Sequence, residues 1–186
     1  MITSGFGRAT SSGAFSIRTA DSGAAGGSGS LTFATGTTKL GSSGNIMLRS
    51  GAAEGGAGGS VSIMVGLGQN GDGGRITISA GEATQLTGGS VSIVSGFGRA
   101  TSSGAFSIRT ADAGVAGITG LLSLATGGSS DGFSGALLLR TGNALKGAGG
   151  SVSVSVGSGA VAQGGRVTVS SGGSALKTGG AFSLAT

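Results

Sequence analysis

The chain has 186 residues, of which 45 are Gly and none is Pro, Cys, His, Trp or Tyr, and its 11 Lys and Arg against 6 Asp and Glu leave a formal charge of +5. This composition excludes disulfide staples and thiolate or imidazole metal sites, removes the commonest proton-transfer group, and lacks the Pro and the every-third-Gly spacing of a collagen helix. No apolar run approaches the ~20 residues of a membrane helix, and Met1 is not followed by the charged and apolar regions of a signal peptide.

In chain order, a Gly-rich arc (Ser4-Gly5-Phe6-Gly7) leads to the first copy of a short phrase whose clearest form is Gly89-Ser90-Val91-Ser92-Ile93-Val94-Ser95-Gly96. The opening Gly falls at 13, 29, 44, 59, 74, 89, 104, 120, 135, 150, 165 and 180, so that nine of the eleven steps are fifteen residues and two are sixteen. A fixed period of this kind signals stacked units. Within a phrase, apolar and small polar residues alternate with period two, which predicts a strand with Val91, Ile93 and Ser95 on one side and Ser90, Ser92 and Val94 on the other. Arcs such as Gly51-Ala52-Ala53-Glu54-Gly55-Gly56-Ala57-Gly58 read as Gly-permitted turns, not helices. The phased Val, Ile, Leu and Phe argue against the disorder usually expected of a Gly/Ser-rich chain.

A second repeat overlies the first. Ser4–Asp21 and Ser95–Asp112 are identical at all 18 positions, and the two sixteen-residue steps recur in the same place, so the chain is a tandem duplication of a 91-residue, six-phrase module. One domain spanning residues 1–186 is expected, divided at about 4–94 and 95–186. A fifteen-residue coil would leave one wall facing almost nothing. A coil of about 30 residues instead opposes Phe15, Ile17, Ile46, Leu48, Ile76 and Ile78 to Leu31, Phe33, Val61, Ile63, Val91 and Ile93. The predicted fold is therefore all-β: a parallel β-solenoid of about six coils, two short strands per coil, in two packed sheets. Thr19, Thr35, Ser50, Ser95, Thr110, Thr126 and Thr141, which close many phrases, would form hydroxyl ladders at the edge of the interior or face solvent near the turns.

Two faces follow from this fold. The even-numbered phrases would present Ser30, Thr32, Ser60, Ser62, Ser90, Ser92, Ser123, Ser151, Ser153 and Ser183, with Ala34, Val94, Ala125 and Ala185 beside them, on a neutral face. Arg18, Arg49, Arg75, Arg109, Arg140 and Arg166 all belong to odd-numbered phrases and would form a basic face, suited to an anionic surface or serving solubility. Nucleic acid is not an expected partner, because no aromatic residue stands beside these arginines for base stacking.

Flat ranks of hydroxyl and methyl groups on a solenoid resemble the ice-binding faces of antifreeze β-solenoids, although those faces carry ordered Thr-x-Thr ranks and this one is mostly Ser, interrupted by Met64 and Leu121. The whole chain resembles the Gly/Ser/Ala-rich solenoid repeats of surface fibres and adhesins. That resemblance implies a non-enzymatic structural module of an extracellular fibre, appendage or surface coat, with ice binding as the alternative; the solenoid expected here has no cap at either side, which suggests either a portion of a longer repeat protein or self-association, head to tail or through lateral contacts. No cofactor is expected. Gly66-Leu67-Gly68-Gln69-Asn70-Gly71 matches a dinucleotide fingerprint only by Gly abundance, since a strand and not a helix is predicted next. Gly71-Asp72-Gly73-Gly74-Arg75-Ile76 vaguely resembles a calcium nonapeptide of RTX proteins without the recurring Asp. Phe6, Phe97 and Phe133 are the only aromatic groups available in arcs for a carbohydrate platform.

Overall fold

A computed structural model describes residues 2–8, 11–160 and 163–185; Thr186, the last residue of the twelfth predicted strand, lies outside them. Among the described residues there is no helix and no strand. The chain divides into two units, Met1–Ser92 and Ile93–Thr186, and each consists of irregular phrases separated by bends. The bends keep the sequence period: Ala24–Gly26, Lys39–Gly41, Glu54–Gly56, Gln69–Gly71 and Thr84–Leu86 in the first unit, followed in the second by bends centred on Ala100, Asp131, Lys146 and Leu176. A turn at Val115–Ala116, closed by the Gly117 amide on the Gly114 carbonyl at 3.3 Å, occupies the sixteen-residue step.

The parallel β-solenoid is thus not formed, and the reason lies in how the arcs close. Two sheets packed face to face stand ~10 Å apart, so an arc joining them must keep its ends separated by about that distance. Here the ends of the arcs touch. The Gly89 amide donates to the Gly81 carbonyl at 2.9 Å, Gly104 to Gly96 at 2.9 Å, Gly165 to Gly157 at 3.1 Å and Gly180 to Gly172 at 2.8 Å. Each arc is therefore an Ω-like loop with its own neck, and the phrases on either side start next to each other instead of on opposite walls.

No interior results. Among the described residues no side chain is buried, and the accessible surface is 18,874 Å². A compact monomer of this mass would expose about 7,800 Å² and its fully unfolded chain about 25,000 Å², so most of the surface that folding ordinarily removes from water is still exposed. The residues expected to oppose one another across a core, Phe15 through Ile78 on one wall and Leu31 through Ile93 on the other, are all at least half exposed.

The period-two asymmetry within phrases survives in weaker form. Val91 is 55% exposed while Val94, on the other side, is 85% exposed. Along one side the cover follows the necks: in the phrase from Gly150, Val152 and Val156 at the two ends are 55% and 49% exposed, and Val154 between them is 71% exposed. The neighbouring loop necks, not a facing wall, supply what cover there is.

Candidate functional site: the loop necks

The repeated element with defined geometry is the neck. In every one of the twelve phrases the opening Gly lies against the residue that ends the preceding segment: Gly13 against Ser4, Gly29 against Thr19, Gly44 against Thr35, and so on to Gly180 against Ser171. The spacing is nine residues in ten of these pairs and ten residues at Thr19–Gly29 and Thr110–Gly120, the two sixteen-residue steps. Glycine is needed here for close approach. A β-carbon on Gly165 would stand 3.1 Å from the β-carbon of Val156, one on Gly150 would stand 3.2 Å from that of Thr141, and one on Gly74 would collide with the Val65 Cγ1 methyl.

Hydroxyl groups close two necks that lack an amide–carbonyl bond. Thr35 Oγ1 donates to the Gly44 carbonyl at 3.3 Å and Thr141 Oγ1 to the Gly150 carbonyl at 3.1 Å. Thr35 and Thr141 therefore bond across their own loops, in place of the ladder between coils that the solenoid would have allowed. Thr19, Ser95 and Thr110, of the same set, are among the few residues that are not fully exposed. Sequence reasoning singled out these positions and missed their partner, although the opening Gly nine or ten residues further on was the available signal.

The other expected site residues stand apart. Ser30, Thr32, Ser60, Ser62, Ser90, Ser92, Ser123, Ser151, Ser153 and Ser183 are exposed, as are Arg18, Arg49, Arg75, Arg109, Arg140 and Arg166. With no sheet joining one phrase to the next, neither set shares the sheet face on which it was expected. Phe6, Phe97 and Phe133 are exposed in three separate loops.

Several loops carry a large apolar residue that reading the phrases alone overlooked: Leu40, Leu86, Leu145 and Leu176 lie at bends and are between 87% and 100% exposed. One shallow recess of about 260 Å³ is lined by Arg140, Thr141, Gly142 and Asn143, beside the neck at Gly150. No group of three or more carboxylates able to hold a metal ion occurs among the described residues, and no helix among them is long and apolar enough to cross a membrane. In the segment Gly66–Gly71, a β-carbon on Gly68 would lie 2.8 Å from the carbonyl oxygens of Gly71 and Asp72. That tight bend leads into no helix, as dinucleotide binding would require.

Comparison of the chain with protein-family models, with curated proteins and with solved structures gives no match.

Proposed function

We propose that this chain is a non-enzymatic structural module that works by associating with further copies of itself, as a component of an extracellular fibre, appendage or surface coat. One observation carries the reading: among the described residues the only backbone pairs are the neck bonds and a single turn, while a repeated array of Val, Ile, Leu and Phe stays in water. A folded protein makes roughly one internal hydrogen bond per residue. Ordering each residue costs about 1–2 kcal/mol, which an isolated chain without buried side chains has no means to offset. Surface of this kind becomes stable when a partner covers it, and exposed apolar arrays of this extent mark association surfaces.

The non-enzymatic part rests on the sequence, which supplies no His or Cys and only six acids. The setting outside the cell rests on the compositional resemblance to surface fibres. Sedimentation velocity and electron microscopy over a hundredfold range of concentration test the reading. The expected result is concentration-dependent assembly accompanied by protection of phrase amides from hydrogen exchange. A chain that stays monomeric at millimolar concentration, with all its amides exchanging freely, would reject it.

A further inference from the structure

Resting on self-association, a more specific question is how one copy meets the next, and the spacing of the necks answers it. We propose that copies lie on one another in register, phrase on like phrase, at an offset of zero or of one 91-residue module and at no other number of phrases. This is pairing between molecules and not the coiled fold excluded above.

The area available is ample. The chain exposes about 11,000 Å² more than a compact monomer of its mass, several times the ~1,600 Å² that a stable protein interface buries in total. The unpaired backbone of each phrase offers amides and carbonyls over a span of seven residues, and the surface best matched to it is a second segment of equal length and equal side-chain alternation. Identical segments stacked in parallel satisfy every backbone group with the molecules above and below.

The necks then set the register. They recur every fifteen residues except at Gly29 and Gly120, where the preceding loop holds one residue more. A slip of one phrase would lay the longer Thr19–Gly29 loop over the shorter Thr35–Gly44 loop, and carrying the extra residue into the phrase beyond would invert every side chain there. A slip of six phrases brings the longer loops at Gly29 and Gly120 together and restores the match.

Charge pulls the other way. In register, Arg18 lies on Arg18 and Arg49 on Arg49, whereas a one-phrase slip would set each against an uncharged phrase. Loop length and charge thus favour different offsets, which makes the register measurable.

The native chain has no Cys, so a single nitroxide can be placed at will. Ser62→Cys, labelled and assembled at 0.5 M salt, is expected to give spin labels about 5 Å apart between copies, seen as an exchange-narrowed line that splits on dilution with unlabelled chain. An equimolar mixture of chains labelled at Ser62→Cys and at Ser153→Cys is expected to narrow at least as much as Ser62→Cys diluted with an equal amount of unlabelled chain, and more where copies meet one module apart, because 153 lies one module beyond 62. A mixture of Ser62→Cys with Thr77→Cys, one phrase apart, is expected to narrow no more than Ser62→Cys diluted with an equal amount of unlabelled chain. The pair Ser92→Cys and Ser183→Cys repeats the comparison at a second site. Narrowing in the 62/77 mixture equal to that in 62/62, or assembled protein with labels farther apart than about 15 Å, overturns the register while leaving self-association intact. A chain that remains monomeric in sedimentation overturns both.

Discussion

At the scale of single residues, the informative glycines are those at which another atom stands where a side chain would be. Gly165 is one, with the Val156 β-carbon 3.1 Å from the position its own would take, and Gly147 is a contrast, with nothing within 4 Å. Gly165→Ala forces the stiff, β-branched Val156 aside at a cost of about 1 kcal/mol or more. The concentration at which assembly begins should rise roughly five- to tenfold, read by light scattering, given tenfold per 1.4 kcal/mol. Gly147→Ala should leave it unchanged or slightly lower, since it only removes freedom from the unassembled chain. The positive φ of Gly26, Gly41 and Gly132, between 100° and 127°, marks three further bend positions where any other residue is strained. From the sequence, an opening Gly could be seen at each phrase; that it faced a particular residue nine positions back could not, because the contact is made by a bend whose direction the Gly-rich composition leaves open.

At the scale of the loop, the neck is a local unit held by close approach of its two ends, with one hydrogen bond across it at Gly13, Gly44, Gly89, Gly104, Gly150, Gly165 and Gly180. The amides of Gly89, Gly104 and Gly180 donate at 2.8–2.9 Å, whereas the amide of Ser92, in mid-phrase, has no backbone partner. Hydrogen exchange on the dilute chain should show those three glycine amides slowed several-fold relative to Ser92. Equal rates would mean that the necks open freely in solution. Thr141→Val keeps the shape of the side chain but removes the bond to the Gly150 carbonyl, an exposed bond worth about 0.5–1 kcal/mol. The Thr141–Gly150 neck should open about two to five times more often, read as a weaker nuclear Overhauser contact between residues 141 and 150, with the contact between Ala80 and Gly89 unaffected. The arcs were legible as turns, and the alternation within phrases as two unequal sides. The strands were not realised, because alternation specifies which side chains share a side and says nothing about whether another segment pairs with the backbone.

At the scale of the whole molecule, exposed surface decides behaviour. With 18,874 Å² in contact with water, the dilute chain should show no cooperative heat-absorption peak, because the enthalpy and heat-capacity change of unfolding scale with the area that folding buries. A peak should appear on assembly and move upward with protein concentration. A sharp, concentration-independent transition in the monomer would contradict the structure. The net charge of +5 should oppose association, so raising salt from 0.05 to 0.5 M, which shortens the Debye length from roughly 14 Å to 4 Å, should lower the concentration required for assembly.

The sequence by itself determined the period, the duplication, the Gly-rich arcs in which the described bends fall and the absence of the side chains that most catalytic and metal sites use. These are properties of residue order, and elementary stereochemistry reads them directly. Only the tertiary structure decided where the ends of each arc go. Gly-rich arcs of eight or nine residues have the length to bridge two walls ~10 Å apart or to double back until their ends touch, and composition does not distinguish the outcomes. Here the contacts at Gly165–Val156 and Gly150–Thr141 close the arcs on themselves. That choice removes the shared interior and places the apolar side chains in water.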